Sequence, residues 1–179
     1  MDVRFVPLDL WRIDALRCEA IVLPFFSDER PLRGAPGLCD WRLCGRLSAL
    51  LQRERVTGAF GEVTLVPGRP RLPFDKLLLF GAGASTDFDA VRFDLLTARI
   101  LVTLDGLLLK NLALALPGRS TGRVSPADAI RWFLSAEIDR HDLDEVIILD
   151  ELDAQKQMAP VVETERHRMR TARESKDSK

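Results

Sequence analysis

Two histidines, His141 and His167, are all that 179 residues offer for an imidazole general base, and both lie in or beside charged C-terminal segments. No Asp, Glu, His or Cys cluster has metal-ligand spacing, and no serine occupies a nucleophile elbow. Asp14 and Glu19 flank an apolar run and read as a solvated surface pair. The three cysteines, Cys18, Cys39 and Cys44, are odd in number, which argues against a disulfide framework. Cys39 and Cys44 would fall on different faces of a helix, and no well-placed cation marks any thiol as reactive. Reduced thiols of a cytoplasmic protein are the expectation. The most apolar stretch, 95–109, carries Arg99 and Asp105 and is too short to span a bilayer. The start, MDVRFVPLDLW, lacks the parts of a secretory signal. A net charge of -1 gives no overall pull toward nucleic acid or a membrane surface.

What is present is an alternation of short apolar runs with helical patterns. With 46% hydrophobic and 30% charged residues, the chain can enclose one core of ordinary size. Strands are expected at 3–7, 20–26, 62–66, 76–80, 112–116 and 145–149. The run AIVLPFF at 20–26 is apolar throughout and suits a strand covered on both faces. Between these, the spacing predicts a helical turn over 10–16 and helices over 38–55, from Asp87 or Asp89 to 110, from Ser125-Pro126 to 138, and over 151–173. The helix ending at 110 has one narrow polar stripe, Arg92, Arg99, Thr103, Gly106 and Lys110, so burial over most of its circumference is expected. The last helix should be interrupted by Pro160 and loses its apolar face after Val162. This pattern predicts an α/β domain with a mixed, mostly parallel central sheet and helices on both faces.

In such domains ligands gather at the loops after strands, where strand ends and helix N-termini converge. Three of these loops are rich in small residues. RGAPG contributes Gly34 and Gly37, GAGAS contributes Gly81 and Gly83, and PGRSTG contributes Gly118, Ser120, Thr121 and Gly122. Glycine lets backbone N–H groups approach phosphate oxygens, which makes these eight the candidate ligand-binding residues. Tight strand-to-helix turns explain the same glycines without a ligand. GAGAS lacks the third glycine of a dinucleotide fingerprint, and PGRSTG lacks the lysine of a phosphate-binding loop.

The succession LSALLQRERVTGAFGEVTLVPG (47–68) followed by KLLLFGAGASTDFD (76–89) resembles the N-terminal domain of leucine aminopeptidases. There a helix, x-F-x-G-K-x-G-E, a strand, a proline, a second strand and G-L-G follow in this order. The resemblance covers about residues 10–150 and implies a three-layer, macro-domain-like fold. In that family the two-metal peptidase site lies in a separate C-terminal domain with an N-T-D-A-E-G-R segment. Nothing in this sequence matches that segment, so no metal or catalytic residue is carried over. The stretch LPGRSTGRVSPADA (116–129) is also similar to the second phosphate-contacting loop of macro domains that bind ADP-ribose. Arg123 stands where an aliphatic residue is usual, and Pro24-Phe25-Phe26-Ser27 where Asn-Ala-x-Asn is usual.

These readings predict a macro-domain-like unit over 1–150 and a C-terminal helix with a charged tail over 151–179. The resemblance implies a stand-alone, non-catalytic relative of the aminopeptidase N-terminal domain, acting in assembly or regulation, with no cofactor. The alternative is a binder of ADP-ribose or another nucleotide. Eight acids between Glu137 and Asp153 face one arginine, Arg140, whereas the tail from Glu163 has six bases against four acids. Residues from about Glu151 onward are therefore expected to dock on a protein partner or a second copy, or to remain disordered without one.

Overall fold

The computed structural model describes residues 1–137 and 143–177, with side chains for 1–136 and 143–168. The helix end expected at Ile138, the acids Asp139 and Asp142, and Arg140 and His141 lie outside the described residues.

Among the described residues, six strands form one sheet: β1 (Asp2–Pro7), β2 (Ala20–Phe25), β3 (Val63–Pro67), β4 (Lys76–Gly81), β5 (Asn111–Leu114) and β6 (Glu145–Asp150). Their order is β1-β6-β5-β2-β4-β3, and only the β3–β4 pair is antiparallel. The four runs expected at the centre, at 20–26, 76–80, 112–116 and 145–149, are its middle strands. Alternation then sorts the side chains. Val22, Leu78, Leu114 and Ile148 point to one face, under α4 (Ala90–Gly106), α5 (Pro126–Glu137) and α6 (Leu152–Asp177). Ile21, Leu79, Ala113 and Ile147 point to the other, under α1 (Leu10–Asp14), α2 (Gly34–Arg42) and α3 (Arg46–Gln52). This is the three-layer, mostly parallel α/β fold that the alternation predicts.

Four expectations need correction. The helix predicted over 38–55 is two helices, starts earlier, and is broken where Cys44 and Gly45 take positive φ. Leu43, Leu47 and Leu51, on the two sides of the break, all reach the same core. The next helix ends at Gly106 rather than at 110, where Leu109 N–H bonds to the Leu104 carbonyl and Leu108 adopts φ 54°. That helix is also not buried around its circumference. It is an outer-layer helix that buries Phe93, Leu96, Thr97, Ile100, Leu101 and Leu104, and leaves Val91, Leu95 and Val102 more than half exposed. Pro160, finally, does not interrupt α6. It lies on the exposed side, where water can serve a backbone carbonyl left without its N–H partner. The first turns of α6 pack on this same domain through Ala154, Met158 and Val162, and Arg166 pairs with Asp2 at 2.6 Å.

Candidate functional site

The C-terminal ends of β1, β2, β5 and β6 open onto a cleft of about 170 Å³, lined among others by Leu8, Pro24, Gly34, Ser120, Asp150 and Glu151. A neighbouring hollow of about 330 Å³ adds Leu32, Gly37 and Leu38. Sites for drug-sized ligands usually occupy ~300–1,000 Å³, so the inner cleft is narrow.

Adjacent carboxylates on the loop after β2 hold the surrounding loops together. Asp28 accepts the Ser85 hydroxyl at 2.7 Å and the Ser85 N–H at 3.0 Å, binding the loop after β4. The Ser85 hydroxyl holds the Asp28 carboxyl below its ordinary range. Glu29, itself buried, accepts the Arg33 N–H at 2.9 Å, the Ser120 hydroxyl at 3.1 Å and the Phe26 N–H at 3.4 Å. It thereby joins the loop after β2, the start of α2 and the loop after β5. At the far wall Asp150 takes Arg119 Nε at 2.7 Å and Nη2 at 3.3 Å, and the Glu151 N–H at 2.8 Å. Arg119 spends a further N–H on the Val124 carbonyl at 2.7 Å. The N–H groups of Phe26, Arg33, Ser85 and Glu151 and the hydroxyls of Ser85 and Ser120 are thus directed at the protein's own carboxylates.

The structure brings Gly34, Gly37 and Ser120 together around this cleft. A Cβ on Gly34 would lie 3.4 Å from that of Ser120. Gly118 sits in the adjoining turn against Val124, while Thr121 and Gly122 face solvent. Gly81 and Gly83 lie apart, against the 58–60 segment. Arg123, where macro domains carry an aliphatic residue, reaches the Thr86 carbonyl at 3.0 Å and ties two of the loops. The residues that the sequence reading missed, Glu29, Arg119, Asp150 and Glu151, carry most of the polarity. Only the position of Asp28-Glu29 directly after an apolar strand could have signalled them.

The thiols divide by environment. Burial pushes Cys39 up to about 12 and Cys18 up to about 11. Cys44 is exposed, and the fold brings Arg71 Nη1 within 3.1 Å of its sulfur, a cation that spacing along the chain did not reveal. Thiolates are the reacting species. At pH 8 a disulfide-exchange reagent should therefore titrate one thiol quickly in the folded protein and three in denaturant, and fast labelling of Cys39 in the native state would contradict this.

Among the described residues, no group of three or more His, Cys, Asp or Glu is arranged to hold a metal ion, and no helix is long and apolar enough to cross a membrane. The strand order and the three layers define a macro-domain-like fold. A Trypanosoma brucei macrodomain solved with ADP-ribose aligns with a TM-score of 0.69 over 89% of this chain and 68% of its own, at 17% identity. A leucine aminopeptidase from tomato aligns with a TM-score of 0.58 over 90% of this chain and 35% of its own, at 14% identity. Residues 22–136 match the N-terminal domain of the cytosol aminopeptidase family, and the chain belongs to that family. The cytosol aminopeptidase of Pseudomonas aeruginosa is 30% identical over 105 residues, 59% of this chain and 21% of the relative. The chain thus spans about a fifth of the length of that relative, and the matched part is the N-terminal domain, not the peptidase catalytic domain.

Proposed function

We propose that this chain is a non-catalytic assembly module of the aminopeptidase family, working in the cytoplasm through protein contact rather than through peptide hydrolysis or nucleotide binding. The observation that carries this reading is the exposed apolar side of α4, with Val91, Leu95 and Val102 at 64%, 56% and 53% exposure. Soluble domains seldom leave such a face uncovered when it serves nothing. The cleft supports the same reading. Asp150 and Glu151 outnumber Arg119 along its lining, and the arginine is already paired, so a diphosphate would meet uncompensated negative charge.

ADP-ribose binding is the second reading, favoured by the convergence of Gly34, Gly37 and Ser120 on the strand ends where α/β domains hold ligands. Thermal melting with and without millimolar ADP-ribose separates the two. A ligand at a hundredfold excess over its Kd adds about 2.7 kcal/mol of stability, which no melt would miss. We expect no shift, and no release of amine from aminoacyl amides with added Zn²⁺, Mn²⁺ or Mg²⁺. A saturable rise in Tm with ADP-ribose would overturn the assembly reading, and metal-dependent turnover would overturn the non-catalytic one.

A further inference from the structure

Along α4 the exposed apolar residues Val91, Leu95, Ala98 and Val102 follow one another at steps of four, three and four. That is the heptad spacing of a helix–helix seam, with Val91 and Ala98 at d and Leu95 and Val102 at a. The seam lies on the side of α4 turned away from its own core, because Phe93, Leu96, Ile100 and Leu104 occupy the buried side. Leu65, which pairs across the ladder with Leu78 and so lies on the same side of the sheet as α4, is a further exposed apolar residue at 53%.

The charges beside the seam specify what covers it. In this register Asp94 stands at g, and Arg92 and Arg99 stand at e. Asp94 and Arg99 are both exposed, and neither has an ion-pair partner among the described residues. In a parallel two-helix seam, a g residue meets the e residue five positions further along the other helix. Asp94 of one copy would meet Arg99 of the other, and the twofold axis would make the pair twice. An antiparallel seam would instead set Arg92 against Arg99. Self-complementary charge beside a self-complementary apolar stripe is the signature of an isologous contact.

We propose that the α4 face is a homodimer contact, in which two copies of this chain pack their α4 helices in parallel along Val91, Leu95, Ala98 and Val102 with Asp94–Arg99 pairs across the axis. This rests on the assembly reading above and names its partner as a second copy.

Sedimentation equilibrium on the full chain should show a concentration-dependent doubling of mass. Leu95→Glu, at an exposed position, should stay folded by circular dichroism and abolish the doubling. Asp94→Arg and Arg99→Asp should each weaken self-association at least tenfold at low salt. Mixing those two variants should restore a dimer, because the mixed pair places arginines opposite aspartates at both sites. Recovery by mixing is something that damage to the fold cannot produce. A wild type that stays monomeric at sub-millimolar concentration, a dimer indifferent to Leu95→Glu, or a mixture that fails to associate would each overturn the proposal. The ADP-ribose melt tests the broader reading separately, so a monomer that ignores ADP-ribose removes only the second copy as partner.

Discussion

Arg119→Ala is expected to cost about 3–5 kcal/mol of folding stability, the usual consequence of breaking a buried ion pair from one side. The Asp150 side chain is only 7% exposed and that of Arg119 only 15%. Arg119 meets the carboxylate through two nitrogens and the Val124 carbonyl through a third. Removing the guanidinium leaves the Asp150 carboxylate, among the described residues, with the Glu151 N–H as its donor and leaves the 117–124 loop without its anchor. For a domain of this size, each kcal/mol moves Tm by roughly 2–4 °C, so the variant should melt about 6–20 °C lower. Arg119→Lys should recover only part of the loss, because an ammonium cannot match the forked geometry. Urea unfolding followed by circular dichroism gives the measurement. A loss under about 1 kcal/mol would mean that the pair is solvated and that Arg119 is free to bind something else.

That pair also shows what sequence reading can and cannot reach. AIVLPFF and EVIIL are apolar at nearly every position, and only a strand covered on both faces tolerates this; their places in the middle of the sheet were therefore legible. Glycine-rich loops after strands were legible for the same kind of reason, since a short turn needs them. Arg119 and Asp150 were not, because they lie 31 residues apart and meet only through the β5–β6 pairing. Serine–carboxylate contacts such as Ser85 with Asp28 and Ser120 with Glu29 join residues 57 and 91 positions apart, and no local period encodes them. The error over α4 has a different origin. Counting apolar residues shows that a helix could be buried all round, but how much of it is covered depends on the number of neighbours. That Val91, Leu95 and Val102 are apolar is plain in the sequence, whereas their exposure is a property of the fold.

Gly81→Ala should be the second large effect, costing about 3 kcal/mol or more, although the sequence marks Gly81 as a ligand-loop residue. A Cβ there would lie 2.0 Å from the Ala59 carbonyl oxygen and 2.7 Å from the Gly58 carbonyl carbon. Both obstacles are backbone, so no rotamer change relieves the clash, and overpacking that must move backbone falls at or above the upper end of the ~1–3 kcal/mol range. The obstructing segment is itself pinned. Gly61 N–H bonds to the Gly81 carbonyl, Gly81 N–H to the Glu62 carbonyl and Gly83 N–H to the Gly58 carbonyl, each at 2.9 Å. Glu62 then folds back to accept the Gly58 N–H at 2.7 Å and the Thr57 hydroxyl at 2.8 Å. Burial alone would raise the Glu62 carboxyl, but these donors outweigh it and hold it below its ordinary range. The clamp therefore contributes stability above the ordinary carboxylate range and loses it as pH falls through the depressed value. Gly122→Ala provides the contrast. Its φ of +70° penalises a side chain, yet nothing lies within 4 Å, so about 1–2 kcal/mol is expected from the left-handed backbone alone. Melting curves of the two variants side by side test the argument. If Gly81→Ala melts no lower than Gly122→Ala, the close approach of the 58–62 segment to the end of β4 is not what requires glycine there.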